Sequence, residues 1–347
     1  MPPTRKQPIA RVTLADVARL AGVSSAVVSY VINNGPRPVA PATAKRVQHA
    51  IDVLEYRPNT HARALMTGST GILGLIHPGT GNPFFGEYND VIYQTASRAG
   101  IALLTATSAG RADTERDLIE DLARRNVDGI LVVTSMVQSD LSRLHDPRLP
   151  LVFLNCPFAI PGHRTIGPYG TGGARSVVSH LLIAHKHRQV ALIAGQTSGY
   201  EPDDRELGWR DAHKAHRRTE GPKVRAAFTL DAGYDATRGL LARRDRPTAI
   251  FVSSDLQTYG AMHAIHEHQL RIPEDIAVAS FDGNAGSAHT WPPLTLVQQP
   301  VQAMAEAAMA AMLIGEPPTH TLFEMDLILR RSCGCTYKHP NSGVEQA

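Results

Sequence analysis

Three groups of side chains in this 347-residue sequence have types that could do chemistry. Histidines cluster twice, as His180, His185 and His187 and as His263, His266 and His268, and imidazoles at short spacing can begin a zinc site. Cysteines number three, with Cys333 and Cys335 forming Cys-Gly-Cys and Cys156 standing alone. The run Gly170-Thr171-Gly172-Gly173 could offer backbone N–H groups to a phosphate. None of these completes itself in sequence. Neither histidine group has a cysteine or carboxylate at ligand spacing, so both read as solvated helix faces. A lone Cys-Gly-Cys lacks the second pair of ligands that a closed zinc site needs, and the thiols read as reduced and structurally bland. The glycine run precedes no P-loop lysine and reads as a helix start near a cleft. No Gly-x-Ser-x-Gly elbow occurs and nothing assembles a triad, so no catalytic residue, metal or cofactor is expected.

Charge is more informative. The chain is +3 overall, yet residues 1–70 carry nine basic side chains against three acids, which leaves the remainder slightly acidic. A basic head on an acidic body is the pattern of a nucleic-acid-binding module fused to a larger domain, with a solvated arginine-rich surface as the plainer alternative. No apolar run approaches the ~20 residues of a membrane span, and no apolar segment with a cleavage site follows the basic start, so the protein reads as cytoplasmic and not membrane-bound.

The elements that must position these residues fall into two textures. Thr13-Leu14-Ala15-Asp16 has capping-box spacing, and Leu14, Val17, Ala18 and Ala21 follow at helical period. Gly22 suits a left-handed cap, after which Ser24 caps a second helix whose apolar stripe is Val27, Val28, Val31 and Ile32. Pro41 opens a third helix with Val47, Ile51 and Leu54 inward. Two short helices around a tight turn, followed by a third, make a helix-turn-helix head. From Gly71, apolar runs at 72–76, 101–105, 130–134, 151–155, 190–194, 224–230, 249–253 and 276–281 alternate with amphipathic helical stretches. Such strands imply parallel sheets covered on both faces. They form two sets of four, with the Pro/Gly-rich stretch Cys156–Gly173 as the break between two α/β lobes and the cleft as the ligand site. A helix over 301–313 and one strand over 321–329 complete the body.

The run Thr13-Leu14-Ala15-Asp16-Val17-Ala18, then Ala21-Gly22-Val23-Ser24, Val28-Ser29, Val31-Ile32-Asn33 and Leu54-Glu55-Tyr56-Arg57-Pro58-Asn59, resembles the head of LacI/GalR-family transcription regulators. Asn126-Val127-Asp128-Gly129-Ile130, Arg246-Pro247-Thr248-Ala249-Ile250, Ile272-Pro273-Glu274-Asp275-Ile276 and Arg330-Arg331-Ser332-Cys333 resemble landmarks of that family's core. The resemblance implies a small all-α helix-turn-helix head (1–58), a hinge helix or linker (59–70), a two-lobed α/β periplasmic-binding-protein-like core of type I with parallel sheets (71–337), and a disordered tail (338–347). It also implies a homodimer on a roughly palindromic operator, because two-fold protein symmetry asks for two-fold site symmetry.

By that resemblance Thr13 belongs to the DNA-binding set, Ser24, Ser29 and Asn33 mainly hold phosphates, and Ser25, Ala26 and Tyr30 face bases. With Ala26 and Tyr30 there, no arginine fork for guanine is available, and DNA shape should carry more of the readout. Asn59, Ala62, Leu65 and Met66 fall on the hinge, where Leu65 takes the position of a minor-groove wedge. For the effector, Phe84 and Phe85 match a first-lobe loop, Tyr234 a stacking aromatic, Arg205 a clamping arginine and Asp282 a hydroxyl acceptor, with Asn155, Asp255 and Gln299 as further candidates. An aromatic wall, a bidentate donor and a carboxylate suit a small sugar-like or nucleoside-like molecule. The expected function is therefore an operator-binding regulator, most simply a repressor, controlled by a small molecule. A cytoplasmic solute-binding protein or an α/β enzyme without DNA function is the alternative.

Overall fold

The computed structural model describes residues 12–33, 35, 37–57, 68–134, 149–196, 202–314 and 318–336. The chain divides into two compact units between Thr70 and Gly71. In the first unit, α1 (Leu14–Ala21) starts with the complete capping box: Thr13 N donates to Asp16 Oδ2 at 2.9 Å and Asp16 N to Thr13 Oγ1 at 3.4 Å. It ends at Gly22, whose φ of 65° is the left-handed conformation glycine adopts without cost. The turn brings α2 (Ser25–Asn33) to 103° from α1, and α3 (Pro41–Val53) follows behind Ala40, which provides no side-chain cap. Val17, Ala18, Val28, Val47 and Ala50 meet in a small core that Tyr56 closes.

In the second unit, chain order runs β1 (Ile72–His77), α4 (Pro83–Arg98), β2 (Ala102–Thr107), α5 (Ala112–Arg124), β3 (Ile130–Val133), β4 (Leu151–Leu154) and β5 (Arg164–Pro168). Then come α6 (Gly170–Ile183), β6 (Ala191–Gly195), α7 (Asp204–Ala215), β7 (Lys223–Ala226), α8 (Leu230–Leu241), β8 (Ala249–Val252), α9 (Asp255–Glu267), β9 (Ala277–Asp282) and β10 (Thr295–Gln298). Last are α10 (Val301–Ile314), β11 (His320–Phe323) and β12 (Asp326–Ile328). One sheet runs β11-β5-β4-β3-β1-β2 and the other β12-β10-β9-β8-β6-β7. Every pairing is parallel except β10 with β12, and β1, β3, β4, β6, β8 and β9 are buried almost throughout, as strands covered on both faces must be.

The crossing between the lobes falls inside the proline- and glycine-rich stretch, but near its end. Within Cys156–Gly173 sits β5, buried over its whole length, and the chain crosses to the second lobe only between Pro168 and Gly170. Arg-Thr-Ile-Gly-Pro shows no apolar run because its burial is bought by pairing with β4 and β11. The single strand expected over 321–329 is two strands in different sheets, and β10 is an additional strand too short and polar to register as a run. The strand expected over 224–230 stops at Ala226, and Leu230 opens α8. The helix α10 follows β10 yet packs Met304, Ala305, Ala308 and Met309 against Phe84, Tyr88 and Ile92 of the first lobe. The chain therefore crosses between lobes three times, after β5, after β10 and between β11 and β12.

Candidate functional site

Parallel sheets bind ligands beyond the carboxyl ends of their strands, because the connecting loops and helix N-termini converge there. In the second lobe those ends bring together Gly195 of β6, Ser253 after β8, Asp282 of β9 and Gln299 after β10. Arg205 enters from the first turn of α7, whose N-cap Asp203 accepts from Glu206 N at 2.8 Å. Its guanidinium lies 4.3 Å from the Phe281 ring centroid and 5.5 Å from that of Phe228, with Nη2 3.7 Å from Asp282 Oδ1. Gln299 Nε2 donates to the same Asp282 oxygen at 2.8 Å. Arg205 Nε, Gln299 Oε1, Asn284 Nδ2 and Ser253 Oγ are buried without a protein partner among the described residues. Such atoms are costly unless a ligand or solvent satisfies them.

Asp282 has φ 105°, a strained value for a residue with a Cβ. Asp255 holds it there. That carboxylate accepts from Gly283 N (2.9 Å), Asn284 N (2.7 Å) and Ser280 Oγ (2.7 Å), so it shapes the loop, and its oxygens are used within the protein. Burial pushes the pKa of both Asp255 and Asp282 above the ordinary carboxylate range, although Arg205 opposes this at Asp282.

On the first lobe, Asn155 follows β4 with φ 53°, and Asn82 caps α4 by accepting from Phe84 N. Phe84 itself is core, packed with Tyr88, while Phe85 lies edge-on to it, 5.2 Å between centroids. The two lobes touch here: Ala285 N donates to both carboxylate oxygens of Glu87, at 2.9 and 3.2 Å. This bond and the crossovers set the carboxyl ends of the two sheets opposite one another.

Several expected residues are placed otherwise. Tyr234 is not in the cleft: its hydroxyl donates to Glu267 at the far end of α9, and its ring lies against His263 and Arg238. Asp255 sits at the other end of that 13-residue helix, ~18 Å away at 1.5 Å per residue. Of the two aromatics beside Arg205, Phe281 is core and Phe228 is half-buried; the carboxyl-end rule applied to β7 would have found Phe228, whereas Glu87 left no comparable signal. Phe84 fills core instead of facing a ligand. Nor are all the histidines and thiols solvated and bland: His180 and His185 meet Cys333 and Cys335, whereas His187 bonds Thr248.

Behind Arg205, the buried Glu206 accepts from Arg210 (2.6 Å), Lys223 (2.5 Å) and Arg225 (2.5 Å). Burial alone would raise its pKa, but the bond and charge of Lys223, with Arg225 and Arg210, hold the carboxyl below its ordinary range. Its stabilising contribution is therefore complete above the unfolded-state pKa and disappears as pH falls through the lower folded-state value. Glu206→Gln should cost the core about 3 kcal/mol at pH 7 by urea unfolding, the low end for a broken buried pair because its partners reach solvent. The difference from wild type should shrink below about pH 4. A difference that persists unchanged in acid would contradict this role.

In the head, Thr13, Ser24, Ser25 and Ala26 are exposed and Ser29 and Tyr30 half-buried, so one face of α2 is open while Val28 faces the core. The Tyr30 ring packs against Gly35, which limits its orientations. Asn33 ends α2, its side chain outside the described residues, as are Asn59, Ala62, Leu65, Met66 and the tail 338–347. Among the described residues no single helix is long and apolar enough to cross a membrane.

A helix-turn-helix head joined to a two-lobed parallel α/β core with a polar interlobe site defines a ligand-responsive regulator class. Residues 13–59 match the family described as bacterial regulatory proteins, lacI family, and residues 178–333 match a periplasmic binding protein-like domain. The HTH-type transcriptional repressor PurR of Vibrio vulnificus is 32% identical over 306 residues, 87% of this chain and 91% of that protein. That of Photobacterium profundum is 30% identical over 329 residues, 92% and 98%. Among solved structures, the lac repressor dimer bound to operator and the anti-inducer ONPF superposes with TM-score 0.84 at 25% identity, covering 93% of this chain and 99% of that one. A complex of the transcriptional regulator CelR with cellobiose gives 0.68 at 29% identity, covering 93% and 100%. The chain belongs to the LacI family of transcription regulators.

Proposed function

We propose that this protein is a homodimeric repressor whose heads, residues 1–58, bind a roughly palindromic operator through Thr13, Ser24, Ser25, Ala26, Ser29, Tyr30 and Asn33. Residues 59–70 form the hinge, with Asn59, Ala62, Leu65 and Met66 at the minor groove. A small polar molecule, sugar-like or nucleoside-like, binds between the lobes of the 71–337 core and sets operator affinity. Arg205, Asp282 and Gln299 contact it, Phe228 stacks on it, and Phe85 and Asn155 face it from the first lobe. The protein works in the cytoplasm, where operator DNA is. The observation that carries the effector half is the convergence of Arg205, Asp282 and Gln299, with polar atoms still unsatisfied, opposite the first lobe. The lac repressor dimer bound to operator and ligand supports the same arrangement.

A ligand that touches both lobes favours one lobe angle, which makes the bond between Glu87 and Ala285 sensitive to occupancy. The test is selection of bound sites from random DNA by the full chain. A two-fold symmetric consensus is expected. Tyr30→Ala should relax preference at one or two positions by about 1–3 kcal/mol each. Leu65→Ala should weaken selected sites by roughly a few kcal/mol and random DNA little, since the wedge supports a kink whereas non-specific affinity rests on phosphates. Absence of any enriched symmetric sequence would overturn the reading.

A further inference from the structure

We propose that His180, His185, Cys333 and Cys335 form a closed, four-coordinate Zn2+ site that clips the C-terminal segment to the second lobe. His180 lies in the last turn of α6 and His185 just beyond its end. Cys333 ends the short 3-10 turn Arg331–Cys333 that follows β12, and Cys335 comes two residues later. The four ligand atoms all lie within 4.8 Å of one another. His180 Nε2 is 3.1 Å from His185 Nε2, 3.3 Å from Cys335 Sγ and 3.7 Å from Cys333 Sγ, and Cys335 Sγ is 3.4 Å from His185 Nε2. Zinc with bonds of about 2.0–2.1 Å to nitrogen and 2.3 Å to sulfur spaces its tetrahedral ligands about 3.3 Å apart for two nitrogens and about 3.6 Å for nitrogen and sulfur. The observed N–S separations bracket their edge, and the N–N separation lies slightly inside its own.

Pairwise hydrogen bonds do not account for the cluster. One ring nitrogen carries either one hydrogen or one lone pair, yet His180 Nε2 faces three groups at bonding distance. A single cation at the centre satisfies all four. Two imidazoles and two thiolates are a donor set that suits zinc, and four protein ligands leave no open position, which makes the site structural. The loop is built for this approach. Gly334 has φ 103°, and a Cβ there would lie 3.2 Å from both Cε1 and Nδ1 of His185, so a side chain would be strained and would press on the imidazole. The Thr295 hydroxyl, 3.1 Å from Cys333 Sγ, is placed to support a thiolate. Cys333 belongs to the second-lobe core, so a metal here fixes the chain just after its third lobe crossing.

The experiment uses the full chain without an affinity tag, purified under reducing conditions without chelator. Metal analysis should find one zinc per chain, and Co2+ exchange should give the intense visible bands of a tetrahedral ion with thiolate charge-transfer absorption. Cys335→Ser and His185→Asn should each lose the zinc and the thiolate or tetrahedral signature, while His263→Ala on the outer histidine cluster keeps both. Chelation should lower the core Tm by about 5 °C and speed hydrogen exchange at residues 330–336. No stoichiometric zinc together with an octahedral Co2+ spectrum in wild type would overturn the assignment, a result independent of whether any variant folds. So would copper in place of zinc, or zinc retained by both ligand variants.

Discussion

Arg205→Ala should abolish the response to effector while leaving ligand-free operator affinity within a few-fold of wild type. The arginine stacks on Phe281, faces Phe228 and stands 3.7 Å from Asp282, so its planar fork is fixed before a ligand arrives. Preorganised, partly desolvated charge contacts lose about 2–5 kcal/mol when one partner is truncated, which is roughly 30-fold to several thousand-fold in effector affinity. Arg205→Lys retains the charge but neither the fork nor the stacking, and should recover little. Asp282→Asn should impair the response similarly. A thermal-shift screen of sugars, nucleobases and nucleosides on wild type identifies the effector. Operator affinity at fixed salt, with and without it, then compares the variants. By linkage, operator must change effector affinity by the same factor that effector changes operator affinity. Wild-type responses in both alanine and asparagine variants would remove these residues from the site. Loss of ligand-free operator binding would make them supports of the fold instead.

A fragment beginning at Gly71 should stay folded and bind effector within about twofold of the full chain's affinity, yet lose operator binding by about a thousandfold or more. The division between Thr70 and Gly71 supports the first half of that expectation, and the two sheets and their covering helices lie wholly in the retained unit. The charge distribution supports the second: residues 1–70 hold an excess of six positive charges and the remainder is net acidic. Phosphate contacts release counterions, so the full chain's affinity should fall steeply with salt, whereas the fragment should show no such slope. Operator titrations at two salt concentrations decide the matter. Retained affinity in the fragment would place DNA contacts in the core.

Local chemistry was written plainly in the sequence. The capping box at Thr13 and Asp16, the left-handed Gly22 and the buried runs of the central strands each follow from residues close together along the chain, where sterics and hydrogen bonding act over a few positions. Arg205, Asp282 and Gln299 were equally accessible through family resemblance, and the fold brings all three together. Other features depend on contacts between distant segments. β5 is a strand because β4 and β11 flank it, despite its proline and glycine. Phe228 replaces Tyr234 beside Arg205 because the end of β7 points into the cleft while Tyr234 bonds Glu267 at the remote end of α9. Asp255 is consumed by the backbone of a loop 28 residues away. The imidazole of His185 and the thiol of Cys335 are 150 residues apart in sequence, so no spacing rule links them. Only the return of β12 to the second sheet, antiparallel to β10, carries the cysteines back onto the end of α6. Short-range periodicity determines which residues are helical, extended or capped, but four ligands on two distant segments become one site only when tertiary packing closes the loop between them.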